Sequence, residues 1–204
     1  MPMATTTKKS DREYRAFTLD PARGNGSDDQ KYIIRGHAAT FDPYTLFEMD
    51  GVKYQERIES NAFASCDLSD VVFRIDHCGP VYARTSAQSL RVTVDSRGLS
   101  FEADLSKTAN ARSIAEDIAA GNYPQASFAF QVEADHYEPE THTRVIEAFR
   151  KVFDVSPVTF PANPGTDVAA AARDYFTAQE EAIAEAKRQK ERARQRLLLR
   201  LKLD

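Results

Sequence analysis

Ala126-Ser127-Phe128-Ala129-Phe130-Gln131-Val132 alternates small or polar side chains with large apolar ones, and a period of two belongs to a β-strand, not a helix. Ser127, Ala129 and Gln131 then share one face, while Phe128, Phe130 and Val132 can anchor the other in a core. The hydroxyl of Ser127 is left among small neighbours, where another backbone can come close. The same pattern also describes an ordinary strand serine.

On either side of this stretch the chain continues in short β-like runs: Tyr32 to Ala38, Val71 to Ile75, Leu90 to Val94, Leu99 to Ala103 and Arg144 to Phe160. Asp95-Ser96-Arg97-Gly98 separates two of them as a hairpin turn, with Gly98 free to take positive φ. One helix interrupts the strands. Thr108 or Asn110 can cap it, Ala111, Ile114, Ala115 and Ile118 recur on one side, and Gly121 can end it. A second, longer helix is expected from Val168 towards the C-terminus, capped by Thr166 or Asp167, with Glu180, Glu181 and Glu185 early and bases late as its dipole favours. Short strands in succession with one or two covering helices predict a mainly β, α+β fold, a small barrel or folded sheet and not a doubly wound parallel one. Residues 1–13 read as a disordered polar tail, 14–166 as the folded domain and 167–204 as a charged helix.

With 204 residues, 42% of them apolar, the chain can bury one core. No apolar run approaches the roughly 20 residues of a membrane span, and Met1 to Arg15 lacks the apolar segment of a secretory signal, so a soluble, non-exported protein is expected. Cys66 and Cys78 show no CxxC spacing and the four histidines are scattered, which predicts free thiols and neither metal nor cofactor. A net charge of −4 argues against a dedicated nucleic-acid binder but conceals a segregation. Residues 187–202 hold eight Lys/Arg and one Glu, net +7, so the remainder sums to −11. In the same region Leu197-Leu198-Leu199, Leu201 and Leu203 are too continuous for a fully solvated helix. Part of this end is expected to pack, either on an acidic partner surface or back on its own domain.

His77 stands where the Val71–Ile75 run hands over to Cys78-Gly79-Pro80, a position that often presents functional side chains. Taken alone it reads equally as a turn-capping histidine beside a solvated Asp76, and a single Ser and a single His so far apart form no motif. His136 and His142 flank Tyr137-Glu138-Pro139-Glu140-Thr141, which fits a hairpin tip better than a ligand set. A nucleophilic Cys78 is disfavoured because neighbours at a strand end point to opposite sides and cannot pair.

The order of segments from Arg35 to Gly165 resembles the prohead proteases of tailed bacteriophages, maturation peptidases related to the herpesvirus assemblins. The blocks are Gly36-His37-Ala38-Ala39-Thr40-Phe41, Glu56 to Phe63, Asp76-His77 followed by Ala83-Arg84-Thr85, Leu90 to Leu99, the Thr108–Gly121 helix, Ser127-Phe128-Ala129-Phe130, and the most specific one, Asp154 to Pro164. There are departures: Ser60-Asn61 stands where the family usually has Pro-Gly, and Ala83 and Ala129 where it usually has Gly. The resemblance implies an assemblin-like β-barrel with flanking helices, His77 as catalytic base and Ser127 as nucleophile. It implies Asp154 as third member, with Glu147 as rival. If residues 145–158 form one unbroken strand, the odd separation of those two carboxylates puts them on opposite faces, and a bulge is the main hazard. Arg84 is a candidate oxyanion donor or, equally, an arginine paired with a nearby carboxylate.

A serine hydroxyl barely ionises at neutral pH, so such a nucleophile needs an imidazole, which titrates near about 6.5, to take its proton. The resemblance further implies a serine endopeptidase acting inside the assembling procapsid in the host cytoplasm. Its substrates would be the major capsid protein, the scaffolding segment and its own termini. It allows a homo-oligomer, a dimer in the related assemblins. The rival from another class is a capsid-assembly or scaffolding protein that keeps the fold without the activity.

Overall fold

A computed structural model describes residues 12–18, 31–159 and 167–200. The expectations for the first eleven residues, for the block from Phe160 to Pro164 and for Thr166 as a cap lie outside the described residues. Among the described residues ten strands and two helices follow in the order β1 (Glu13–Thr18), β2 (Ile33–Thr40), β3 (Tyr44–Met49), β4 (Val52–Ile58), β5 (Val72–Ile75), β6 (Cys78–Arg84), β7 (Leu90–Val94), β8 (Gly98–Asp104), α1 (Ala109–Ala119), β9 (Gln125–Glu138), β10 (Thr143–Val158) and α2 (Asp167–Arg200). The class is α+β and mostly β, with a long C-terminal helix.

The expected barrel does not form. Seven strands make one sheet, ordered β1-β9-β10-β4-β3 with the β5–β6 hairpin branching from β10, and β2-β8-β7 make a second. Closure needs an uninterrupted ladder around the circumference. Here β10 spans 16 residues and shifts register repeatedly between Ile146 and Asp154, so it bends as bulged strands do. It lends one edge to two parallel neighbours in turn: β4 at Thr143–Ile146 and β5 at Asp154–Val155. The second sheet lies against the first through a shared core that includes Ile34, Leu99, Phe101, Phe128, Phe130, Phe149 and Val152. Phe73 and Phe101 meet across the divide with ring centroids 5.9 Å apart.

Local chemistry accounts for the breaks between elements. Thr108 caps α1 by accepting the Ala111 N–H at 3.1 Å, and Ala111, Ala115 and Ile118 are its buried side. Gly121 ends the helix with φ of +87°, as an αL residue after a C-cap does. The β7–β8 turn needs Gly98 for space as well as conformation, because a Cβ there would stand 2.1 Å from the Ala39 carbonyl oxygen.

β1, β3, β4 and β6 were not among the runs that the period of two picks out. Beneath β1, Arg15 forks onto the fully buried Glu56 of β4 (2.7 and 2.8 Å), and Arg144 of β10 reaches Glu56, Glu13 and Asp135 at 3.2, 2.6 and 2.5 Å. Tyr44 donates to the same Glu56 carboxylate. Polar strands can thus lie inside the protein because their charges are matched there. The start of α2 packs on β3 and β4 through Ala172 and Phe176. The Phe176 ring is 1% exposed and lies 5.0 Å from Tyr54, 5.8 Å from Phe47 and 5.4 Å from Tyr137. From Lys187 to Arg196, by contrast, every residue is exposed, and Leu198 is 49% exposed. It is therefore the first part of this helix, through Phe176, that folds back on the domain.

Candidate active site

The strand carrying Ser127 is β9, buried throughout Ala126–Phe130 and held between β1 and β10. Ser127 stands opposite Ala16 of β1 and opposite Ser156 of β10; two positions on, Ala129 stands opposite Tyr14 and Asp154. Residues facing each other across a ladder share a face. Tyr14, Ser127, Asp154 and Ser156 therefore lie on one face, with Phe128 and Phe130 on the other. A larger residue at the fully buried Ala129 would press on this group from its centre.

His77 arrives on the β5–β6 hairpin, whose closing pair is Ile75 and Cys78. The two residues between them, Asp76 and His77, have φ of +48° and +56°, the left-handed values of the two-residue turn that matches strand twist. Neither is glycine, so each costs on the order of 1–3 kcal/mol unless its surroundings impose that conformation. They do. The Asp76 carboxylate accepts the Thr159 N–H at 2.9 Å and its hydroxyl at 2.8 Å, and the Asp76 N–H donates to Pro157 O at 3.0 Å. Arg74 donates to the carbonyls of His77 and Gly79 at 3.5 and 2.6 Å.

So held, the imidazole lies over the shared face. Its Nδ1 is 2.6 Å from Asp154 Oδ1 and its Nε2 is 2.7 Å from Ser127 Oγ. The Tyr14 ring packs against it at 4.5 Å, tilted by 59°. With Nδ1–H donating to the carboxylate, Nε2 has a lone pair for the serine hydroxyl, an arrangement that can draw a proton from the alcohol and hold it as imidazolium. Asp154 is 1% exposed, Ser127 3%, and the His77 side chain 16%. The carboxylate and the alcohol are thus largely removed from water, where electrostatic interactions are stronger.

His77, Ser127 and Asp154 are brought together; Glu147 is not among them. It sits at a register shift of β10, and its carboxylate lies 2.9 Å from Nδ1 of His136. The parity argument that set the two carboxylates on opposite faces assumed an unbroken strand, and β10 is not one. Arg84 forks onto Asp70 at 2.7 and 2.6 Å, so its guanidinium is engaged by a carboxylate. His142 sits at the β9–β10 tip beside Tyr137 and Glu180. Among the described residues no group of three or more His, Cys, Asp or Glu could hold a metal ion, and no helix is long and apolar enough to cross a membrane. Cys66 and Cys78 are free thiols. Sequence reasoning missed Tyr14 and Ser156 as neighbours of the site. The alternation Tyr14-Arg15-Ala16-Phe17 was a signal for the first strand, but nothing in it tells which strand it will pair with.

A family model described as caudovirus prohead serine protease matches residues 20–181. No curated protein and no solved structure matches the chain.

Proposed function

The chain belongs to the caudovirus prohead serine protease family, and from that premise we propose that it is a serine endopeptidase working through Ser127, His77 and Asp154 within the assembling procapsid. The observation that carries this reading is the continuous relay from Asp154 Oδ1 through His77 to Ser127 Oγ, with links of 2.6 and 2.7 Å. Ser127 attacks the scissile carbonyl as His77 takes its proton. The buried carboxylate of Asp154 keeps the imidazole in the tautomer that accepts at Nε2 and stabilises the imidazolium. His77 then returns the proton to the departing amine, and water, deprotonated in its turn by His77, hydrolyses the acyl enzyme.

The substrates that fit the family are the major capsid protein, its scaffolding segment and the termini of the enzyme itself. The basic end of α2 supports a docking role on such partners. Arg188, Arg192 and Arg196 repeat at four-residue intervals, as do Lys190 and Arg194, and all are exposed. Like charges at that spacing weaken an isolated helix, and an acidic protein surface would relieve the repulsion. Truncation after residue 186 leaves Phe176 in place. The docking reading expects this truncation to reduce incorporation into procapsids, and unchanged incorporation rejects it.

The test of the enzyme reading is co-expression of the wild type and of Ser127→Ala with the capsid protein, followed by intact-mass measurement. Fragments that appear with the wild type and are absent with the variant support it. Identical masses in both favour the assembly protein without activity.

A further inference from the structure

Ser156 lies at the back of the relay and takes no part in the mechanism above. It is fully buried, stands directly across the ladder from Ser127, and is two residues from Asp154 on the same face of β10. Its hydroxyl lies 2.9 Å from Asp154 Oδ1, the oxygen that also faces His77 Nδ1 at 2.6 Å. A carboxylate has no hydrogen to give, so the serine is the donor. The other residues beside Asp154 in the ladder are Val72 of β5 and Ala129 of β9. Neither carries a charge or a donating side chain.

We propose that Ser156 is a positioning residue for the proposed serine peptidase: its hydroxyl fixes the Asp154 carboxylate so that Oδ1 meets the imidazole N–H and the opposite ring nitrogen faces Ser127. A carboxylate has two rotatable bonds between backbone and oxygens, and its oxygens are equivalent until a second donor distinguishes them. Ser156 supplies that donor from the same strand, at a fixed two-residue spacing. It also disperses part of the carboxylate charge, since a hydrogen bond to an ionised acceptor draws on the same lone pairs as the imidazole. Without it Asp154 turns more freely and presents its full charge to His77, which favours the imidazolium over the neutral base. Two consequences are expected together: slower proton removal from Ser127, and activity that needs a higher pH to develop.

The proposal rests on Ser127 being the nucleophile, and its test separates the two. p-Nitrophenyl acetate serves as probe, and the burst of nitrophenolate is followed against pH for full-length wild type, Ser127→Ala, Ser156→Ala and Ser156→Thr, with thermal melts as a control on folding. Ser156→Ala should lower the burst rate about tenfold and move its acid limb to higher pH, while Ser156→Thr, which keeps a hydroxyl, returns both towards wild type. Should the threonine methyl prevent folding, Ser156→Cys, a weaker donor of similar shape, should fall between wild type and alanine. A burst that survives in Ser127→Ala overturns the nucleophile assignment itself. A burst absent in Ser127→Ala but unchanged in rate and pH profile in Ser156→Ala overturns the positioning role alone.

Discussion

Asp76 and Thr159 are 83 residues apart in the chain and doubly joined in the fold, the carboxylate of the first accepting both the backbone N–H and the hydroxyl of the second. That clasp ties the turn bearing His77 to the residue just past the end of β10, two positions after Pro157, which stands opposite Ala126. The turn is left-handed at two non-glycine positions, so the clasp and the conformation can be separated by mutation. Asp76→Gly relieves the backbone but removes the carboxylate; it should lower the turnover rate about tenfold or more through a misaligned imidazole while leaving thermal stability nearly unchanged. Turnover equal to wild type in a steady-state assay would dissociate the clasp from His77 placement.

Asp154→Asn keeps the shape and removes the charge. The amide can donate where the carboxylate accepted, which favours the tautomer with Nε2 protonated and unable to take the serine proton. A loss of about 10³–10⁴-fold in acylation rate is expected, against a far smaller effect of Glu147→Gln, whose carboxylate faces His136. Comparable losses in the two variants, measured with the same ester, would contradict the assignment of Asp154.

The charge cluster under β1 sets the acid stability. Burial alone pushes the Glu13 carboxyl up, but Arg144 and Arg15 outweigh it and hold the group below its ordinary value. A carboxyl lowered in the folded state contributes stability above the unfolded value, and that contribution disappears as pH falls below about 4.5 through the folded value. Denaturant midpoints should therefore decline from about pH 4.5 downwards in the wild type, and decline less steeply in Glu13→Gln. Glu56→Gln, which removes the buried carboxylate that Arg15 and Arg144 share and leaves them to Glu13 and Asp135, should cost about 3 kcal/mol by chemical denaturation.

The two thiols should differ in reactivity. Burial raises the Cys66 thiol to about 11, so it stays protonated at pH 8, while Cys78 is exposed next to His77. A disulfide reagent should titrate one thiol in the native protein and two in denaturant, and peptide mapping should place the native label on Cys78.

The strand alternation around Ser127 was legible because its aromatic side is a true core side, with Phe128 and Phe130 stacked 4.5 Å apart. The cap at Thr108, the glycine at 98 and the hairpin tip between the two long strands were legible for similar reasons: each is a local demand of a few consecutive residues. β1 and β4 escaped because Arg15 and Glu56 are hydrophilic yet buried, which their pairing across 41 residues permits, and β3 and β6 escaped because most of their residues are exposed and show no buried alternation. Asp154 was preferred to Glu147 by resemblance, and a parity rule that needed a regular strand said only that the two carboxylates could not share a face. The bulges of β10 removed the rule's premise and still turned Glu147 outward. The way His77 folds back over Ser127 depends on a left-handed turn of Asp and His, residues that give no strong advance notice of such a conformation.

The edge position of β1 limits how far the chain can be shortened from its front. Glu13, Tyr14 and Arg15 of this strand meet Arg144, His77 and Glu56 in turn. A cut between Arg15 and Ala16 takes Tyr14 off the imidazole and, by removing Arg15, leaves the buried Glu56 with Arg144 and Tyr44 only. A proteolytic nick inside β1, by whatever protease, would therefore serve as an off-switch.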